Sequence, residues 1–596
     1  MPGFFGALGC NEFSCEKLES AFYQVWGSGE TLKLPNGILG GHTFGAGKSI
    51  RTIKHLNVAL DGEASIYDSD ERLFNLSTEN LTLTPACRGN IAVFDTQHAC
   101  CYLAANWTGS FPLYYSHHPR DGLVFCTRVK PLVSVINASP DLIAVREFLH
   151  DLSMLCGRTF YKCIHRLMPG QSLKYDACSD SLRISETSRA WVGIDARKRK
   201  TIAIAAWESL TRAIRHTSDS NLPAAIMMSG GWDSRTVLAA MSACLPATKI
   251  SAYYHGDLRS REMRLASRIC QVVGVPFHAE PLDAKLFDLD FLKQCFDSIE
   301  TTIFPEWYRA GRLLSTLGVK SVSAGVYGEV LGGHYGTPPD GRKKLLSIAG
   351  RHIGLHLHTR QDIRDLLRLR HLVVPWYIRE DFWEEDPKEA INADIEETLA
   401  RFKNRGIDST EQLIEAFITE HRGSQYINSQ MLSCRAFIDI SLPFGDQESF
   451  VLASRIPLNT KLYNALNREI LLQHAPELLK FSTASTLVPA RMPVVIQETS
   501  RLIRHTIDGL IWRAHFATFR KVNPPLRGWW NWDFLQNDDR LEILAEDLRG
   551  DYWNKNAILK RIKELKSSNL RFDSVNRVGI LTQTLLKIYT TDLMLR

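Results

Sequence analysis

Residues Ala224–Ala240 constrain this chain more than any other segment. Five apolar residues, Ala224-Ala225-Ile226-Met227-Met228, run into Ser229-Gly230-Gly231-Trp232-Asp233-Ser234. Arg235-Thr236-Val237-Leu238-Ala239-Ala240 follows at once. An all-apolar strand has to be covered on both faces, and a helix that starts after a tight loop supplies one cover. Two adjacent glycines let backbone N–H groups approach an anion closely. The helix start adds unpaired donors and a favourable dipole. Ser229 and Ser234 add hydroxyl donors. Asp233 makes sense beside a pyrophosphate as a ligand of Mg²⁺. The spacing and lysine of a Walker A loop are missing, and no GxGxxG follows a strand. The segment therefore predicts a loop that holds the pyrophosphate of ATP, leaving the α-phosphate open to a carboxylate. The alternative is an ordinary capped helix after a βα turn.

The surroundings divide in two. Residues 1–190 read as short strands joined by turns: Ile91–Phe94, Cys101–Ala104, Phe111–Tyr115 and Leu123–Thr127, with a hairpin turn at Arg120-Asp121-Gly122. A helix is expected from Asp141 to Leu152. Asp195–Lys200 (DARKRK) reads as a solvated linker or helix start. From 200 to 596 the order changes. Strands at Asn221–Met228, Ile250–His255, Val275–His278 and near Val322 alternate with helices, including Arg261–Val273. That alternation predicts a mostly parallel sheet with helices on both faces, followed by a largely helical part beyond about residue 345. Val522–Asp533 (VNPPLRGWWNWD) reads as a buried corner or a recognition surface.

Composition limits the function classes. With 71 Lys plus Arg against 65 Asp plus Glu, the formal charge is +6 over 596 residues. That is too mild to call for nucleic acid but permits an anionic small ligand. Thirteen scattered cysteines form no CxxC pair, so no zinc or redox motif is expected. Most read as reduced core thiols, which suits the cytoplasm. No signal peptide or membrane-spanning run is read, and no membrane partner is expected.

Several segments together resemble the asparagine synthetase family. Ser229–Ser234 is similar to its SGGxDS signature. His255-Gly256-Asp257 matches its nucleotide-contacting strand end. Ser323–His334 (SAGVYGEVLGGH) resembles SGEGSDELFGGY, and Leu442–Asp446 resembles its PFLD region. In the first half, NWTGSFPLYY (106–115) resembles DRxGxxPLYY. Asp61-Gly62-Glu63 with Ile66-Tyr67 resembles NGEIYN, and GRTFYKCIHRLMPG (157–170) resembles TxFxGIxxLxPG. The resemblance implies an N-terminal Ntn-hydrolase-like (αββα) glutamine amidotransferase domain at 1–190. It implies an adenine-nucleotide α-hydrolase-like synthetase domain at 200–596. The fold class expected is thus α/β with α+β.

The departures are informative. The family's glutaminase needs a cysteine after the initiator Met, and this chain has Pro2, so no glutaminase nucleophile is expected there. Cys10 reads as a core thiol, and the glutamine-clamping RGPD segment is not recognisable. In the ungapped match, the family's Glu becomes Gly325 and its second Mg²⁺-binding Asp becomes Gly328. Either Glu329 takes over the metal beside Asp233, or the two glycines accommodate a tighter turn. Further catalytic candidates are Tyr327, Glu306 and Arg491, the last where the family uses a lysine. Lys461 and Arg468 read as solvated or paired.

The resemblance implies an ATP- and Mg²⁺-dependent carbon–nitrogen ligase that adenylates a carboxylate and joins it to an amine. Without a glutaminase, it points toward the β-lactam synthetase and lasso peptide cyclase relatives, with a lactam or macrolactam of a peptide or natural product as product. The substrate would carry a free carboxylate and an amine, and a precursor peptide or a partner biosynthetic protein could accompany it. The alternatives are an asparagine synthetase using ammonia or glutamine, and a catalytically impaired nucleotide- or partner-binding protein.

Overall fold

The structure is a computed structural model. It describes residues 2–27, 29–44, 49–63, 89–118, 122–218, 221–335, 375–379, 387–517, 532, 534–535, 538–567 and 574–596. Two antiparallel six-stranded sheets form the first part. One contains β1 (Gly3–Leu8), β2 (Glu30–Leu34), β3 (Gly37–His42), β8 (Tyr114–His118), β9 (Gly122–Cys126) and β10 (His165–Arg166), in the order β10-β8-β9-β1-β3-β2. The other contains β4 (Ile50–Ile53), β5 (Leu56–Gly62), β6 (Gly89–Asp95), β7 (Cys100–Ala104), β11 (Gln171–Asp176) and β12 (Ser181–Glu186), in the order β12-β11-β7-β6-β5-β4. Phe4, Leu39, Ala59, Phe94, Leu103, Phe125 and Tyr175 pack between them as one buried cluster. Alternation explains this: residues two apart on each strand face the partner sheet.

The second part is built on a five-stranded sheet whose strands are all parallel. Its members are β13 (Ala224–Met227), β14 (Ile250–Gly256), β15 (Phe277–Pro281), β16 (Ser321–Ser323) and β17 (Asp439–Ser441), in the order β15-β14-β13-β16-β17. The chain winds outward from β13 in one direction, then returns to its other side with β16 and β17. The helix Arg199–Thr217 turns Ile202, Ala206, Leu210 and Ile214 inward.

The expected parallel sheet with covering helices is what folds, and a fifth strand, β17, was not read from the sequence. Among the strand boundaries that differ from the sequence reading, two have a local reason or bear on the parallel sheet. Phe111–Tyr115 does not start as a strand, because Pro112 has no N–H to give a ladder, and pairing begins at Tyr114. The third parallel strand begins at Phe277, past Val275 and Pro276. Asp141 caps the helix Leu142–Asp151 by accepting from the N–H groups of Ile143 and Ala144. The stretch 195–198 is a turn before the helix at Arg199, with Arg197 paired to Asp195. Arg120, Asp121, Ile66, Tyr67 and all of 522–533 except a buried Trp532 lie outside the described residues. No disulfide forms among the described cysteines. No described helix is long and apolar enough to cross a membrane.

The two parts share buried polar contacts. Arg435 donates to Asp61 Oδ1 at 2.6 Å and to Gly62 O at 2.9 Å, and lies 4.6 Å from the Phe111 ring centre. Glu63 accepts from the Leu442 N–H at 3.0 Å, and Asn428 donates to Ser110 O at 2.6 Å. The DGE and NWTGSFPLYY segments thus bind the first part to the second.

Candidate functional site

In a doubly wound sheet, ligands bind where the strand order reverses, beyond the carboxyl ends of the strands. Here that point lies between β13 and β16. A cleft of about 290 Å³ opens there, lined among others by Met228, Ser229, Gly231, Asp233, Ser234, His255, Glu262, Ala324, Gly325 and Glu329. Tyr253, Tyr254, Trp307 and Ile427 make its aromatic and apolar wall.

The loop between β13 and the helix Trp232–Cys244 is held by its own hydroxyls. Ser229 Oγ and Ser234 Oγ are 2.8 Å apart, Gly231 N–H donates to Ser229 Oγ at 3.2 Å, and Ser234 Oγ donates to Ser229 O at 3.2 Å. Beneath it, Arg235 is fully buried. It donates to Gly230 O (3.2 Å), Leu478 O (3.0 Å) and Ser482 O (3.0 Å), stapling the loop to the turn at 478–482. Sequence reading gave Arg235 only as part of the following helix. A long cation with no acid in reach has to be satisfied by carbonyls, and no local pattern reveals which ones.

Asp233 stands in the first turn of that helix. Its Oδ1 accepts from Asn467 Nδ2 at 2.9 Å, and Asn467 also donates to Asn464 Oδ1 at 3.2 Å. Asn464 in turn meets His334 Nε2 at 2.9 Å. This chain from 464–467 was missed, since asparagines on a helix carry no distinctive spacing. Burial pushes the Asp233 carboxyl above its ordinary range, opposed by the Asn467 hydrogen bond. Burial, then repulsion from Asp233, pushes Glu329 up in the same way. Glu329 Oε2 has no hydrogen-bond partner among the described residues. Two acids that repel each other and leave an oxygen orphaned are suited to a divalent cation, and Asp233 with Glu329 could hold one. With Glu262 the cleft has three carboxylates, and its lining among the described residues includes no lysine or arginine, so a cation beside Asp233 and Glu329 would offset the charge of a polyphosphate.

The glycines at 325 and 328 are steric. A Cβ on Gly325 would stand 2.7 Å from Asp233 Cβ, and one on Gly328 would stand 2.6 Å from Asp233 Cγ. The Asp233 side chain fills the space that larger residues would need.

His255 ends β14 in the cleft, with its ring edge-on to Trp307 at 5.2 Å. Burial, aided by Arg309, lowers its pKa to about 3, so it is neutral. Three of the candidates are not part of the cleft lining. Tyr327, at φ 68°, turns away: its hydroxyl donates to Thr108 O at 3.1 Å and accepts from Ser110 at 3.4 Å. It joins the two parts of the molecule and corrects the catalytic expectation. Glu306 is buried behind Trp307, with Oε2 unpartnered and its pKa pushed up to about 8 by burial. Arg491 is exposed on a turn, where its carbonyl accepts from Arg468. Lys461, read as solvated or paired, is a buried ion pair with Glu415 at 2.8 Å.

At the first sheet, Pro2 is buried directly before β1, and Gly3 faces Thr127 so closely that a Cβ would lie 2.4 Å from its Oγ1. Cys10 follows the other end of β1, with its thiol beside Leu8 O and Leu123 O.

Residues 82–184 match the glutamine amidotransferase domain family. That window carries β6–β11 and the NWTGSFPLYY segment, and includes neither Pro2 nor the cleft. No curated protein matches the chain. Among solved structures, the allosteric regulatory enzyme of purine biosynthesis is similar at 11% identity with a TM-score of 0.21, over 47% of this chain and 80% of that one. That likeness is too weak to carry an argument. An amidotransferase-type domain is therefore present within the double-sheet part of the chain, and the switch-point cleft lies outside it.

Proposed function

We propose that the chain is an ATP-dependent, AMP- and pyrophosphate-forming amide-bond ligase. The observation that carries this reading is the Ser229–Ser234 loop at the sheet's switch point, opening into the same cleft as Asp233 and Glu329. The loop and the first turn of its helix bind the pyrophosphate end of ATP. Asp233 and Glu329 would hold a Mg²⁺, which would offset the negative charge of a polyphosphate among these carboxylates. A substrate carboxylate oxygen attacks the α-phosphorus, the bond from that phosphorus to the bridging oxygen breaks, and pyrophosphate leaves. An amine then attacks the acyl-adenylate carbonyl, the carbon–oxygen bond to AMP breaks, and an amide forms. The amine's proton needs an acceptor. Glu262, which lines the cleft outside the Asp233–Glu329 pair, takes it.

The amine is proposed to belong to the substrate, as in lasso peptide cyclisation, giving a lactam or macrolactam. Pro2 supports this, because it offers no thiol at the place where a glutaminase would have one. The match of residues 82–184 favours a second reading, in which glutamine donates the amine. One assay separates them. ATP–pyrophosphate exchange is expected with a peptide carrying both a carboxylate and an amine, with no glutamate released from glutamine. Exchange with aspartate, together with glutamate release, would establish the second reading. ATP binding without exchange for any carboxylate would leave only a nucleotide-binding protein.

A further inference from the structure

A second, smaller cavity of about 110 Å³ lies between the two parts of the molecule, far from the ligase chemistry in its lining. The double-sheet part contributes Tyr114, Arg128 and Arg166, and the helical part contributes Glu300, Ser424 and Met594. Its charges do not cancel. Glu300 accepts from the N–H groups of Val129 (2.9 Å) and Lys130 (2.8 Å) and faces Arg128 Nε at 3.6 Å. Its carboxylate is therefore taken up by Arg128. Arg166 is 6% exposed and donates to Gly109 O at 3.0 Å, with no carboxylate opposite it among the described residues. Burial alone works against its charge, and arginine does not give up its proton to escape that penalty. His421 nearby is neutral, so it neither adds charge nor removes it. Two guanidiniums against one carboxylate leave a formal +1 in a mostly apolar space. One further group of the lining, the buried Thr127 hydroxyl, lacks a hydrogen-bond partner among the described residues.

We infer that this interdomain cavity binds one small monovalent anion of the halide or formate size, with Arg166 as its counter-charge. A cavity of about 110 Å³ suits a small ion, and a buried cation with a hydroxyl donor beside it is the chemistry that selects one. Because both parts of the chain line the cavity, the anion stabilises their association. The inference is independent of the ligase reading.

Bromide is the probe. Crystals of the full chain grown in sodium bromide are expected to show an anomalous peak within hydrogen-bonding distance of the Arg166 guanidinium. Water alone at that place would overturn the inference. In solution, the wild-type thermal midpoint is expected to rise by about 3 °C in 100-fold excess chloride or bromide over gluconate at equal ionic strength. Arg166→Met should lose that difference, while Arg166→Lys should keep part of it. If Arg166→Met does not fold, the wild-type comparison still decides, since equal midpoints in chloride and gluconate contradict the site.

Discussion

The parallel-sheet cleft and the start of the double sheet make an instructive pair. In the cleft, a tight loop, a helix start and two mutually repelling acids converge on open space, and one carboxylate oxygen is left unpartnered. At the start of β1, the matching place is filled. Pro2 is buried, Gly3 is pressed against Thr127, and the motifs that resemble amidotransferase segments end in contacts with the other part of the chain. Around the cleft the unpartnered Glu329 oxygen stands beside open space, whereas Asp61 and Glu63 each spend one carboxylate oxygen on the second part of the chain. The first region has the open space and the unpartnered acid that a ligand site needs, and the second is tied into the rest of the chain.

The largest effect should come from the holding contacts. Arg435→Met leaves the Asp61 charge buried without its guanidinium, a loss of about 3–5 kcal/mol by the usual cost of breaking such a pair. Burial already holds the Asp61 pKa above its ordinary value, against the pull of Arg435. Without Arg435 that pKa rises further. The folded state then binds a proton that the unfolded state does not, so stability falls as pH rises above about 4. Thermal denaturation should show the defect growing from pH 5 to pH 8. A pH-independent loss would mean that the contact is packing and not charge.

Next comes Asp233→Asn. ATP–pyrophosphate exchange should fall by about a hundredfold or more, which is the scale for removing one electrostatic stabiliser, with the thermal midpoint nearly unchanged. Gly328→Ala tests the same carboxylate sterically. Its Cβ would meet Asp233 Cγ at 2.6 Å, so about 1–3 kcal/mol of overpacking is expected, together with weaker exchange. Full activity in Gly328→Ala would show that Asp233 can move away without consequence, which would remove it from the metal site.

A smaller effect concerns pH. Burial and mutual repulsion hold the Asp233 and Glu329 pKa values above the ordinary carboxylate range. A cation needs both ionised, so the acid limb of the exchange reaction should lie well above pH 4. Glu329→Gln removes the repulsion and should shift that limb toward acid. His255 should add no limb near its ordinary pKa, since burial keeps it neutral.

The sequence made the cleft's centre legible because its chemistry is local. Strand, Gly-Gly loop and helix are contiguous, and Ser229, Asp233 and Ser234 fall where that pattern puts them. His255 was legible from the end of the next strand. What stayed hidden depends on distant segments. Asn467 reaches Asp233 from 234 residues away, and Arg235 is satisfied by carbonyls at 478–482. Tyr327 looked catalytic because it neighbours Glu329 in sequence. Tyr327 itself is in the left-handed region, which sends its side chain away from that of Glu329, and local proximity says nothing of that. The glycines at 325 and 328 leave room for the Asp233 side chain, and that steric reason stands alongside a Glu329 that lines the same cleft.

The smallest expected effect is none, and it bears on the other member of the pair. Cys10 is the thiol nearest the chain start after Pro2, and a glutaminase of the Ntn kind would need it freed as an N-terminal nucleophile. Freeing it would cut away β1, which pairs with β3 on one side and β9 on the other in the middle of its sheet. Losing a central strand exposes both neighbours' ladders and takes the buried Phe4 and Phe5 out of the core. The thiol is also at the wrong end, since six strand residues at about 3.4 Å each put it roughly 20 Å from the Pro2 position. Cys10→Ser should therefore leave exchange, thermal midpoint and the absence of glutamate release all unchanged. Glutamate release that disappears in Cys10→Ser, with an N-terminus at Cys10 by mass spectrometry, would make both regions catalytic and end the contrast between them.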